Sequence, residues 1–268
     1  MNGRERDDRE GLRTTFDQAA SAYRLGRPGY PAEVYSLLTD RCGLGVGCAV
    51  LEVGAGAGQA TIPMLDLGAA VTAIEPGHAL VRELLEQGAG RRLRVINATF
   101  EDATLPESAF DMVASATAFH WVDPAVRLSK SARLLRDGGW LAVWSNRYGD
   151  PTRPDPFHTA IQPLLREYAP ELLLRSCQTD STNAQGYRGL PSSQDFDAAE
   201  LHELRWEGRH DPRELRALFS TFSPWIALPI ERRETLLDAM EALARDQFGG
   251  IVTRPYVTAI DLRRRRAR

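Results

Sequence analysis

Lysine is almost missing from this chain: Lys130 is the only one, so 33 basic residues less one leave 32 arginines. The skew reads as codon usage in a GC-rich genome rather than as function. Cysteine is scarce as well, with Cys42, Cys48 and Cys177 forming neither a CxxC pair nor a Cys/His cluster, which excludes zinc sites and a disulfide framework. At 268 residues the chain buries a sizeable core without such staples. No run of 18 apolar residues is long enough to span a bilayer, and the opening MNGRERDDRE lacks the apolar centre of a secretory leader, so a cytoplasmic protein is expected. Neither sign of charge dominates. With 33 basic and 36 acidic residues the net charge is −3, which gives no general attraction to nucleic acid or to anionic membranes.

What is present is an ordinary globular composition, 43% hydrophobic and 26% charged, without repeats or low-complexity tracts. Short apolar runs alternate with helical segments between Ala49 and Asn146: AVLEV (49–53), AVTAIE (70–75), LRVIN (93–97), FDMVASA (110–116) and WLAVWS (140–145). Such runs predict strands covered on both faces, hence an α/β fold with a parallel sheet of βαβ units. Asp123 and Pro124 predict the start of a helix that Gly138 and Gly139 end. From Arg147 to Ala199 six prolines and a polar stretch predict a lid or cap insertion rather than another βα unit. Regular signals then return: a strand near 201–206, a helix opened by Asp211 and Pro212, a helix over 229–247 ended by Gly249 and Gly250, and a last strand over 251–262. The expected organisation is one domain: an N-terminal cap (1–48), a core (49–146), the insertion (147–199) and C-terminal strands with a helical hairpin (200–268).

The segment VLEVGAGAGQAT (50–61) carries Glu52, Gly54, Gly56 and Gly58 after the first strand and before a helix. Glycines there let the backbone turn sharply and approach a ligand, and the helix start offers free amides. Gln59 stands where a dinucleotide fingerprint needs its third glycine, and no lysine follows as in a P-loop, so pyrophosphate and triphosphate ligands are disfavoured. Glu75 ends the second strand, 75 − 54 = 21 residues beyond the first loop glycine, where an acid accepts both hydroxyls of a ribose.

These residues, with FDQAASAYRLGRPGYP (16–31), AIEPGHAL (73–80), LPESAFDMVASATAFHWVDP (105–124), LLRDGGWLAVW (134–144) and FSTFSPWIALPIERRETLL (219–237), make the chain resemble the class I S-adenosylmethionine-dependent methyltransferases. The resemblance is to a bacterial small-molecule branch similar to trans-aconitate methyltransferase. It implies a doubly wound, Rossmann-like seven-stranded sheet with the last strand antiparallel, binding S-adenosylmethionine across the ends of the first two strands. Glu52, Gly54, Ala55, Gly56, Gly58 and Gln59 would line the methionine and ribose side, with Glu75 and Pro76 at the ribose and Ala116 nearby. Tyr23 and Arg27 would cover the methionine end, Arg27 pairing with its carboxylate. Where many relatives carry an acid and alanine against the adenine, Thr99 and Phe100 stand here. The Phe100 backbone still meets the ring, and Glu101 or Asp102 replaces the amino-group acceptor.

Methyl transfer from a sulfonium needs alignment above all, and a base only when the nucleophile carries a proton. His120, just past the fourth strand, is the base candidate, and Trp121 beside it a flat wall. Trp144, Tyr148, Trp225 and Tyr256 are candidates for a second wall, and Arg147 for the clamp of an anionic acceptor. His78, His158, His202 and His210 have no metal-binding spacing. The C-terminal RRRRAR (263–268), without interleaved aromatics, is expected to be a solvated end. The expected reaction is methylation of a small molecule at a carboxylate or phenol oxygen. The alternative is a methyltransferase fold recruited for another reaction or as a binding module. A nucleic-acid methyltransferase is disfavoured by the charge balance and by ATAFHW in place of an NPPY-like loop.

Overall fold

The computed structural model describes residues 25–173 and 189–267. A short helix, α1 (Ala32–Cys42), precedes β1 (Ala49–Val53), α2 (Thr61–Asp66), β2 (Ala70–Ile74), α3 (His78–Gln87) and β3 (Leu93–Ile96). The chain continues through β4 (Phe110–Ala116), a 3₁₀ turn (Phe119–Trp121), α4 (Arg127–Leu134) and β5 (Leu135–Tyr148). The remaining elements are α5 (Pro156–Tyr168), β6 (Glu200–His210), α6 (Pro212–Ser220), α7 (Ser223–Ile226), α8 (Ile230–Phe248) and β7 (Val252–Arg264).

The seven strands form one sheet in the order β3-β2-β1-β4-β5-β7-β6. Pairs among β1 to β5 are parallel, and β7 runs antiparallel to both β5 and β6. Strand order therefore reverses between β1 and β4, and in such a sheet the crevice for a ligand opens at the carboxyl ends of those two strands. Alternation along each strand supplies both faces: Val50, Val71, Met112, Ala142 and Trp144 join α1 in one cluster, while Leu51, Val53, Ile74, Val113 and Val143 pack with Phe100, Phe119 and Leu134 in the other. A third cluster joins Phe157 of α5 to Leu215, Phe219, Trp225 and Met240 of the α6–α8 hairpin. Asp211 and Glu214 close a capping box at α6, Glu214 N–H donating to Asp211 Oδ1 at 2.8 Å and Asp211 N–H to Glu214 Oε2 at 2.9 Å. No helix among the described residues is long and apolar enough to cross a membrane.

Two expectations need correction. The helix predicted from Asp123 to the Gly138–Gly139 pair begins only at Arg127 and ends at Leu134. Asp123 serves a turn instead, its Oδ1 accepting from Ala125 N–H at 2.9 Å. The glycines lie in an irregularity of β5, where pairing jumps from Phe110–Leu135 to Met112–Trp140. Gly139 is needed there because a Cβ would sit 2.9 Å from the Arg136 and Asp111 carbonyl oxygens. Within the insertion after Arg147, residues 156–168 form a 13-residue helix with Asp155 capping its start, while 174–188 lie outside the described residues. Pro156 occupies the first turn, where a missing N–H costs nothing, and Pro163 is accommodated inside the helix. Finally, the arginine-rich end is only partly solvated: Arg264, Arg266 and Ala267 are exposed, but Arg263 and Arg265 are not. Arg263 is 3% exposed and pairs with buried Asp261 at 2.8 Å, and Arg265 is buried beside Asp137, because alternation along β7 turns these side chains into the protein.

Candidate active site

The loop after β1 folds back over β2, with Gly54 N–H and Ala55 N–H both donating to the Ile74 carbonyl at 2.9 and 3.2 Å. Gly54 has φ +72°, and a Cβ on it would lie 2.4 Å from Ala118 Cβ, so both conformation and space require glycine. This crossing brings the loop against the end of β2. There Glu75, 7% exposed, is gripped by two backbone amides: Gly56 N–H donates to its Oε2 and Gly77 N–H to its Oε1, each at 2.9 Å. An ionised carboxylate held this way keeps one orientation toward the crevice. Asn97 steadies the same turn by donating to the Glu75 and Pro76 carbonyls.

Glu52 points beneath the loop and is 0% exposed. Its Oε2 accepts from the Thr61 hydroxyl at 2.5 Å, while Oε1 has no hydrogen-bond partner among the described residues. Desolvation pushes its pKa up to about 8; the Thr61 hydrogen bond opposes the rise and the neighbouring Glu75 charge adds to it. Gln59 Nε2 is likewise buried without a partner. Both side chains border a small cavity of about 30 Å³, roughly one water's share of the liquid, along with Tyr30, Ala55, Ala116, Asn146 and Tyr148. Polar atoms buried without partners are costly, so two of them at one small cavity are candidates for contact with a water or a ligand's polar group.

Arg27, Gly54, Gly56 and Thr117 border this cavity and also a larger one of about 540 Å³. Its walls include Val53, Ile74, Glu75, Pro76, Leu80 and Phe100 on the sheet side, His120 and Trp121 on the 3₁₀ turn, and Leu172, Phe222, Pro224 and Trp225 opposite the core. Glu101 lines it, with Oε1 accepting from Asp123 N–H at 2.9 Å, whereas Asp102 is turned away, its carboxylate taken up by the Thr99 hydroxyl at 2.6 Å. Arg27 ties the segment before α1 to the hairpin. It donates through Nε to Thr221 Oγ1 at 2.9 Å and through NH1 to the Tyr148 hydroxyl at 2.8 Å, while its guanidinium lies over the Phe222 ring at 4.9 Å.

Most of the expected residues therefore gather at this crevice, but not all. Gly58, with φ +100°, packs against Leu84 and Ile62 and shapes the loop without bordering either cavity. Trp144, expected as a cavity wall, is 1% exposed and packs edge-on against Tyr30 inside the core. Arg147, expected at the mouth, points to the other face of the sheet, where it pairs with Glu203 at 2.7 Å. The cause is the pleat: Trp144, Asn146 and Tyr148 share one face of β5, and residue 147 takes the other. Tyr256 is also core, stacked on Trp206 and bonded to His210 at 2.8 Å. Tyr23 lies outside the described residues.

Sequence reasoning assigned no role to Tyr30 or Thr117. Thr117 follows β4 with φ +56°, a strained conformation for a β-branched residue, and its hydroxyl shares a 2.8 Å hydrogen bond with the Tyr30 hydroxyl. Thr117 N–H donates to the Trp144 carbonyl at 2.7 Å, which holds it there. The only sequence sign of either was position, in GRPGYP and at a strand end.

Comparison with known proteins places this geometry. Residues 51–143 match a family described as a methyltransferase domain. An uncharacterised methyltransferase of Mycobacterium tuberculosis is 30% identical over 258 residues, covering 93% of this chain and 95% of that protein. Among solved structures, one from Anaeromyxobacter dehalogenans proposed to be a type II methyltransferase superposes with a TM-score of 0.60 at 24% identity, over 90% of this chain and 97% of the other. A methyltransferase from Thiobacillus denitrificans, solved with S-adenosyl-L-homocysteine, gives 0.53 at 16% identity over 94% and 98%. The chain belongs to the class I S-adenosylmethionine-dependent methyltransferases.

Proposed function

We propose that the chain methylates a small molecule at a carboxylate or phenol oxygen, with donor and acceptor meeting in the 540 Å³ cavity. The observation that carries this reading is the adjoining pair of cavities, a polar one over Glu52 and Gln59 and a largely apolar one beyond Glu75, which share Arg27, Gly54, Gly56 and Thr117. A chamber of this size, lined by side chains of several elements, suits a compact ligand better than a polymer.

The residues present fit S-adenosylmethionine. The partnerless Glu52 Oε1 and Gln59 Nε2 suit the amino-acid end, the Glu75 carboxylate suits the ribose hydroxyls, and Val53, Ile74, Leu80 and Phe100 offer apolar surface to the adenine, with Glu101 at the edge. When bound, the donor supplies an electrophilic methyl group whose sulfur leaves without needing a proton. What remains for the protein is to align the acceptor, exclude water and, where needed, take a proton. Orientation of this kind is worth roughly 7 to 11 kcal/mol of barrier. His120, exposed on its 3₁₀ turn and lining the cavity, is the residue placed to accept a proton, and Trp121, 4.8 Å away between ring centroids, flanks it.

Thermal melts with S-adenosylmethionine and S-adenosylhomocysteine test the donor site. At about 100 times the dissociation constant, either ligand should add roughly 2.7 kcal/mol. Folded protein that shifts with neither would refute the reading. A mass-spectrometric screen for the gain of one CH₂ on small carboxylates and phenols then tests the acceptor.

A further inference from the structure

Resting on that reading, we propose that the acceptor is an aromatic hydroxyl, a phenol that lies against Trp121, Phe222 and Trp225 and gives its proton to His120. The aromatic lining comes from two separate parts of the chain: Trp121 from the turn after β4, and Phe222 and Trp225 from the α6–α8 hairpin. The hairpin rings are packed on a common neighbour, Phe219 lying 4.7 Å from Trp225 and 5.5 Å from Phe222, so they form a preset aromatic surface rather than an adaptable one. Leu172, Val122 and Pro224 extend it with apolar surface.

The charges argue against an anionic acceptor. The arginine expected to clamp a carboxylate, Arg147, is paired with Glu203 on the far face of the sheet. Arg27 is the only lysine or arginine among the described residues that borders the chamber, and its guanidinium serves Thr221 and Tyr148. Two carboxylates, Glu75 and Glu101, border the same space. Both are placed to face the donor, and an anionic acceptor would meet no forked cation other than Arg27, which already serves Thr221 and Tyr148.

A carboxylate is ionised at neutral pH and needs no base, whereas a phenol with a pKa near 10 keeps its proton and needs one, a part that His120 in the cavity wall can take. In the phenol reaction the oxygen–hydrogen bond breaks toward a His120 ring nitrogen, leaving the imidazole protonated. The oxygen pair forms the new bond to the methyl carbon. The carbon–sulfur bond breaks with its electron pair returning to sulfur, so one positive charge passes from sulfonium to imidazolium and the aryl methyl ether leaves neutral.

The test uses matched two-ring arenes bearing hydroxyl, carboxylate or amine at one position (2-naphthol, 2-naphthoate, 2-naphthylamine), with trans-aconitate as an aliphatic polyanion. Calorimetry on the full chain with S-adenosylhomocysteine bound should show 2-naphthol binding most tightly. Trp225→Ala should weaken that binding by about tenfold, the scale of one lost aromatic contact, and leave S-adenosylhomocysteine affinity unchanged. His120→Gln should leave naphthol affinity within a few-fold, lower kcat by about 10² to 10⁴, and remove the ionisation that limits kcat on the acidic side. Tighter binding or faster methylation of the carboxylate, the amine or trans-aconitate would overturn the phenol assignment. So would an unchanged kcat and pH profile in His120→Gln, or donor binding without any naphthol binding, results that leave the donor reading standing. Failure to bind S-adenosylmethionine or its product would instead overturn the donor reading and this proposal with it.

Discussion

Replacing Glu52 with glutamine should stabilise the ligand-free protein while weakening its hold on the donor. The Glu52 carboxyl has an ordinary pKa of 4.5, and burial moves it to about 8 in the folded chain, against the Thr61 hydrogen bond and with the Glu75 charge adding to the rise. Between those two values the folded protein keeps a proton that the unfolded chain has lost. Unfolding then releases it, and stability falls as pH rises, by about 1.4 kcal/mol for each unit. Below 4.5 both states are protonated and the penalty vanishes; above about 8 both are ionised and the penalty is full and constant. At pH 7 the interval above 4.5 is worth about 3 kcal/mol. Glutamine has nearly the same shape, can still accept from Thr61 and cannot ionise, so it escapes that cost. For a chain of this size the unfolding midpoint should rise by about 6 °C at pH 7, and the gain should shrink toward pH 5. Glutamine also cannot give up a proton to become a charged partner when the donor binds, so affinity should fall about tenfold to a hundredfold, the equivalent of about 1.5 to 3 kcal/mol. Calorimetric melts of parent and variant at several pH values between 5 and 8, with donor titrations alongside, measure both effects. Parallel stability curves for the two proteins, or a variant less stable at pH 7 than the parent, would mean that Glu52 is already ionised in the folded chain and that the reasoning fails.

Three further outcomes are expected. Glu75→Ala should reduce S-adenosylmethionine affinity at least tenfold by calorimetry, since it removes an ionised acceptor fixed by Gly56 and Gly77, while Asp102→Ala, whose carboxylate is turned to Thr99, should bind almost as the parent does. Arg27→Lys should loosen the segment before α1, because one ammonium cannot reproduce the bonds to Thr221 and Tyr148 together; limited proteolysis with and without S-adenosylhomocysteine should show faster cleavage in the variant and less protection by ligand. Arg263→Met should cost about 3 to 5 kcal/mol in a urea melt, as it leaves the buried Asp261 carboxylate without its cation. A tail that merely extended into solvent would tolerate the same change.

Much of this protein was legible in its sequence, and the legible parts are local ones. The strands β1, β2 and β4 stand out because a strand buried on both faces must be apolar almost throughout, and AVLEV or FDMVASA can serve no other element as well, whereas β3, at the sheet edge, is only partly covered. The glycine loop and Glu75 were readable because positive φ and close backbone approach demand glycine at fixed offsets, and Asp211 with Glu214 because a helix start leaves amides that only a few side chains satisfy. Tertiary structure decided everything that depends on which way a side chain turns or what lies across from it. The strand run WLAVWS did not reveal that β5 extends to Tyr148, so its pleat, which sends Trp144 into the core and Arg147 away from the cavity, became assignable only once β7 and β6 were laid beside it. That Glu101 lines the cavity and Asp102 does not goes with Asp123 reaching one and Thr99 the other. Strain at Thr117 arises only because β5 and Tyr30 hold it from two sides. The arginines after Ile260 read as a charged tail because sequence shows charge and not its partners; Asp261, the Leu190 and Pro191 carbonyls and Asp137 meet them only in the folded chain, where pairing makes burial of a guanidinium affordable.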